Sequence, residues 1–326
     1  MKGWCGRFGS CAERIRSKGK ACQPVRGDAA SGKANMPYRP KWLKVAVINS
    51  IEIMKNLARD KSTLLVPALY LLCGLLVVFY VNLFTLFRLV NEYLGSGFIL
   101  ATPLLLPFIL LFLVIRRRGR KGLRHNWLVI GLFLVFIGLI LPDPAFPVKR
   151  IHVAEYLFLS LIVRYALARN LAGRQLIFFS VLVSAVYGIH DELLQGLHPS
   201  RTYGLRDMLV NIVAAAGGCF VWHSLDLFVG TRTCSTREVS WSPLQMGALV
   251  WLAFAVAALV VPLTVYRHGA LPWWPFLPLA AAVVVWACVI ADDSSPLRHG
   301  LVPLGWTAFP MLCYPFAAHV FQISFR

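Results

Sequence analysis

From residue 64 to residue 322 the chain is a succession of almost wholly apolar stretches, each interrupted by a short polar or proline-bearing segment. Nine are read: 64–87, 98–115, 127–141, 151–168, 174–190, 207–228, 244–266, 273–291 and 301–322. Most lie near the ~20 residues that a helix needs to cross a bilayer core at ~1.5 Å per residue. Hydrocarbon offers a backbone amide no partner, so a crossing segment must be a helix or part of a closed barrel. The stretches lack the period-two alternation of a strand, which leaves helices. The pattern predicts an all-α protein, a polytopic transmembrane helical bundle of about nine spans. The third stretch is the shortest, stopped by Pro142, Pro144 and Pro147. Trp127, Trp273 and Trp274 fall at span ends, where amphipathic rings favour the headgroup layer.

Four regions follow along the chain. Residues 1–63 form a basic cytoplasmic segment: 1–40 are rich in Gly, Ser, Ala, Lys and Arg with no periodicity and are expected to be disordered. Residues 41–60 could form an interfacial helix, with Val45, Ile48, Ile51 and Leu57 flanked by basic residues. No apolar stretch precedes Leu64, so a secretory signal is not expected. Residues 64–126 hold two spans and a basic loop, 127–228 a four-span core, and 229–326 three further spans.

Composition agrees: 58% of residues are hydrophobic and 14% charged, against about 45–50% and about 25% in ordinary globular domains. The net charge of +19 invites a nucleic-acid reading, which the placement of the charges answers. With the N-terminus inside, alternating loops put 25 of the 33 Lys and Arg on the cytoplasmic side and seven on the other, Arg164 lying within a span. Cytoplasmic loops retain basic residues, so the charge reads as a topology signal with attraction to anionic lipid, and no nucleic-acid partner is expected. The expected localisation is the plasma or inner membrane, N-terminus cytoplasmic and C-terminus extracytoplasmic. Of the eight cysteines, Cys73, Cys219, Cys288 and Cys313 fall in spans, and Cys5, Cys11 and Cys22 have no metal-ligand spacing. Neither a disulfide framework nor a zinc site is expected.

Ionisable residues concentrate at the ends of spans four to six: His152, Glu155, Asp191, Glu192, Asp207 and Asn211, with Arg201 between them. An ionised group costs roughly 2.5–3.5 kcal/mol at the bilayer centre, less near the interface, so these need a reason. The fourth span starts, the fifth ends and the sixth starts at one membrane face, the outer. At ~100° per residue, His152, Glu155 and Tyr156 share an arc of about 100°, and Asp191 with Gln195, and Asp207 with Asn211, lie about 40° apart. Three helices thus present polar stripes at one depth, which predicts a pocket facing the bundle interior.

These residues carry a resemblance. The run Lys149-x-x-His152-x-x-Glu155-Tyr156, then Asp191-Glu192-x-x-Gln195, then Arg201 with Asp207-x-x-x-Asn211, resembles the VanZ-like membrane protein family over about residues 127–228. That family is named for a protein associated with resistance to the glycopeptide teicoplanin. The resemblance implies a common site at the motif residues and a role in the cell envelope. The chain departs from the pattern at Val148, where an acidic residue is usual, and at Ser200 and Ala214, where glycines are usual.

Candidate roles follow. His152, oriented by Glu155, would serve as base or nucleophile, with Asp191 or Glu192 as a second acid/base group. Lys149, Tyr156, Gln195, Arg201, Asp207 and Asn211 would bind substrate, Arg201 by matching phosphate or carboxylate geometry. No cofactor is expected; a histidine with several carboxylates could hold a hard divalent cation, though nothing favours one. The partner class is a membrane lipid or lipid-linked envelope precursor, and the function class binding or processing of such an amphiphile. Two alternatives stand beside it: a proton-coupled transporter or flippase, whose acids would carry protons, and a structural or assembly protein. In the last case Arg201 would simply pair with Asp207 or Glu192, and Asn211 would be interhelical glue. His223 and Asp226 read as an interface anchor, and His190 as pointing away from Asp191.

Overall fold

A computed structural model of the chain describes residues 64–83, 108–117, 123–144, 146–228, 241–291 and 297–326, with single positions at Leu89, Glu92, Tyr93, Gly95 and Leu105. Contacts divide the chain into Met1–Lys55 and Asn56–Arg326, and every described residue belongs to the second unit. The basic tail with its three cysteines, the expected interfacial helix at 41–60 and part of the second span lie outside the described residues.

Regular structure among the described residues is helical, apart from one isolated bridge between Gly269 and Phe325. The helices are α1 (Leu64–Leu83), α2 (108–117), α3 (His125–Ile140), α4 (Ile151–Leu167), α5 (Gly173–Leu197), α6 (Leu205–Ser224), α7 (Pro243–Val260), α8 (Leu277–Ile290), α9 (Arg298–Ala308) and α10 (Cys313–Val320). A 3₁₀ turn, Phe309–Leu312, joins the last two. Among the described residues, five helices are long and apolar enough to cross a membrane: Leu64–Leu83, Gly173–Leu197, Leu205–Ser224, Pro243–Thr264 and Arg298–Val320, the last running through α9, the turn and α10. His125–Ile140 and Trp274–Ile290 are apolar but shorter.

Boundaries differ from expectation where a sequence cue is local. α5 continues past residue 190 to Leu197, because Asp191, Glu192 and Gln195 find partners inside the protein rather than marking a solvated helix end. The ninth stretch is a broken helix, as expected where Pro310 removes an amide donor. α6 stops at Ser224, and the chain turns with Asp226 and Phe228 at positive φ (51° and 52°).

Side-chain contacts fix the direction of the helices. Tyr80 near the end of α1 donates to the Glu155 carbonyl near the start of α4. Arg150 and Arg206, before and at the start of α4 and α6, donate to Leu139 O and Leu141 O at the end of α3. Tyr203, just before α6, donates to Val260 O at the end of α7. Helices α3 to α7 therefore alternate in direction, and one end of the bundle gathers the ends of α1, α3, α5 and α7 with the starts of α4 and α6.

α6 is the hub, packing on α3, α4 and α5. Small residues allow the approach: a Cβ on Gly131 would lie 2.8 Å from Val221 N, one on Gly217 3.0 Å from Gly131 O, and one on Gly218 2.3 Å from Ser160 Oγ. The outward stripe of α3 (Val129, Phe133, Phe136 and Ile140) is exposed and as apolar as its buried one. A helix apolar all round belongs in a large core or in lipid. Polar side chains, conversely, are buried within α4, α5 and α6.

Candidate functional site

At the gathered end, Pro147 opens a 3₁₀ turn (Pro147–Arg150) that feeds α4 and sets Lys149 against Asp207 of α6 in an ion pair. One turn into α4, His152 Nδ1 lies 2.8 Å from Glu155 Oε2 and 3.8 Å from Asp191 Oδ2 of α5. With a carboxylate acceptor at Nδ1, that nitrogen carries the hydrogen, and Nε2 is the atom left for a ligand. The Tyr156 hydroxyl, on the same stripe, donates to Tyr187 O at 3.3 Å.

On α5 and α6 the contacts form two groups. Asn211 Nδ2 donates to Asp191 Oδ2 and to Gly188 O, both at 3.3 Å. Gly188 permits this, since a Cβ there would sit 2.9 Å from the Asn211 Cβ. Asp191 Oδ1 and Asn211 Oδ1, both buried, have no hydrogen-bond partner among the described residues. The second group runs outward from Glu192: its Oε1 accepts from Gln195 Nε2 (3.1 Å) and its Oε2 from Gly204 N (3.0 Å). Gln195 Oε1 in turn accepts from Arg201 Nε (3.2 Å) and Nη2 (2.7 Å). A guanidinium is only a donor, which fixes the orientation of the Gln195 amide.

A cavity of about 250 Å³ opens here. Lys149, His152, Glu155, Gln195 and Arg201 form its polar wall together with Ser200 and Thr202. Tyr80 and Leu83 of α1, with Phe146, Val148 and Ile151, make up the rest of the lining.

All ten predicted site residues lie at this end, yet in two layers. Five belong to the polar wall, while Tyr156, Asp191, Glu192, Asp207 and Asn211 stand behind it and hold it. Lys149 pairs with Asp207, and Arg201 donates to Gln195. Sequence reasoning missed Gly204, whose backbone amide serves Glu192, and Tyr80, which closes the cavity from α1. No side-chain pattern announces a backbone donor. It also missed Tyr203, buried behind the loop; burial, then the nearby Glu192 charge, push its phenol above the usual range, and the hydroxyl donates to Val260 O at 2.5 Å.

The opposite end of the same helices holds a second polar cluster. Arg164 Nε donates to Leu227 O at 2.9 Å, and its Nη2 lies 3.3 Å from His223 Nδ1. Arg124 approaches His223 Nε2 at 2.7 Å and Asp226 at 3.6 Å. His223 and Asp226, expected as interface anchors, thus belong to a built contact. His190 does turn from Asp191, bridging Tyr314 Oη (2.7 Å) and Thr307 O (2.6 Å). No family model, curated protein or solved structure matches the chain.

Proposed function

We propose that this chain is a multi-pass membrane protein whose cavity, at the extracytoplasmic face, binds the anionic head of an amphiphile, either a membrane lipid or a lipid-linked envelope precursor. The observation that carries the reading is the mixed lining of the cavity: basic and hydrogen-bonding groups beside apolar side chains of α1 and of the 146–151 segment. A guanidinium offers a carboxylate or phosphate paired N–H donors, and Arg201 stands on the polar wall. A tail would lie along Tyr80 and Leu83, where α1 meets α4. The alternating helices and their apolar outer faces support a crossing bundle, and basic loops support the inside N-terminus. The resemblance to VanZ-like proteins over 127–228 points to the same residues and to the cell envelope.

One observation favours a catalytic version. His152 is oriented by Glu155 at 2.8 Å with its other nitrogen left toward the cavity, which is how a base is held beside its orienting group. Hydrolysis or group transfer at the head is the reaction class this serves.

The test is mass spectrometry of lipid copurified with wild type and with Arg201→Ala. Wild type should carry an anionic lipid or lipid-linked anion that the variant loses at least tenfold, about 1.4 kcal/mol. The same lipid at the same occupancy in both proteins would overturn the reading.

A further inference from the structure

The loop between α5 and α6, residues 198–204, carries Arg201 and Gly204, and it is gripped by residues more than 120 positions away. Phe325 is wholly buried, its ring over Gly196, where a Cβ would lie 2.1 Å from the nearest ring carbon. The same ring packs on Tyr203 at a centroid distance of 5.0 Å. Main-chain bonds stitch both edges of the segment. On one, Arg326 N donates to Gly196 O at 2.7 Å, and Tyr203 N donates to Arg326 O at 2.8 Å. On the other, Phe325 N donates to Gly269 O at 2.9 Å, and His268 N donates back to Phe325 O. The Arg326 guanidinium reaches Pro199 O, and Arg267 reaches Tyr203 O at 2.5 Å.

We propose that Phe325 and Arg326 form a positioning latch for the anion clamp: they hold the 198–204 loop so that Arg201 faces the cavity and the Gly204 amide stays on Glu192. The inference rests on the functional reading above and gives the chain beyond residue 228 a task in it. Gly196, one residue from the clamp's Gln195, is explained by the ring: glycine is disfavoured against alanine inside a helix, and here it leaves the space Phe325 fills. Without the latch, Gly196 O and Tyr203 N lose their partners, while the loop keeps the bonds of its own side chains and the one that Arg267 donates to Tyr203 O.

Two measurements on the full-length purified protein test this, for Arg201→Ala, Phe325→Ala, Gly196→Ala and the double variant Gly196→Ala/Phe325→Ala. The first is hydrogen–deuterium exchange, with α3 and α4 as the folding control. Phe325→Ala should speed exchange across 198–204 by about tenfold and leave α3 and α4 unchanged. Gly196→Ala, which drives the ring out, should do the same, and the double variant should not exceed Phe325→Ala, since its clash is gone. The second is the copurified anionic lipid, expected to fall in both single latch variants as in Arg201→Ala. Unchanged exchange in Phe325→Ala would overturn the latch. Faster exchange with lipid retained, while Arg201→Ala loses it, would overturn its positioning role. Lipid indifferent to Arg201→Ala as well would sink the functional reading and with it the clamp the latch is said to serve.

Discussion

At the level of single residues, the site is a chain of hydrogen bonds with a direction. Arg201 can only donate, so Gln195 presents its oxygen to Arg201 and its amide nitrogen to Glu192, whose two oxygens accept from Gln195 and from Gly204 N. Glu192→Gln puts a donor where two donors already point. Either Gly204 N loses its acceptor, or Gln195 turns over and offers Arg201 a second donor. The variant should therefore lose about 1–3 kcal/mol of stability, the cost of a buried group left unpaired, and should lose bound anionic lipid although Arg201 is intact. Thermal unfolding in detergent beside lipid mass spectrometry checks both; a variant as stable and as loaded as wild type would show that the chain has no direction. The partners of Glu192 are ones that helical spacing cannot reveal. Spacing did show which residues gather, since one stripe per helix is arithmetic. It did not show which of them form the wall, because that depends on the pairing of Lys149 with Asp207 and on the loop's own path.

Among the elements, α6 decides the packing, and its glycines are the means. Gly217→Leu would force a side chain into Gly131 O and Val135 N, each 3.0 Å from its Cβ, and should destabilise the protein by about 1–3 kcal/mol or more. Gly74→Leu on α1, where a Cβ meets nothing within 4 Å, should change the unfolding temperature little. Equal effects at the two positions would refute the close α3–α6 approach. The helices themselves were legible because each is a long apolar run closed by prolines or charges. The length of α5 was not: polar residues at 191–195 look the same in sequence whether they end a helix or line its buried face. The break at Phe309–Leu312 had a sequence cue in Pro310, masked by the unbroken apolarity around it.

Across the whole molecule, the proposed orientation rests on the alternation of α3 to α7 and on the asymmetry of the basic residues. Reporter fusions ending after Arg120, His198 and Arg326 should read inside, outside and outside; an inside signal at His198 would put the site on the cytoplasmic face. The two ends of the core are unlike. At one, α1, the start of α4, the end of α5 and the 198–204 loop line a cavity; at the other, Leu227 O and His223 close on Arg164. Between them the facing stripes carry Leu157, Val183, Ala214 and Ala215, all buried. If the cavity holds an amphiphile's head as proposed, that far-end closure makes the core a cul-de-sac among the described residues: the head backs out by the mouth it entered, and the proposed task is occupancy rather than passage.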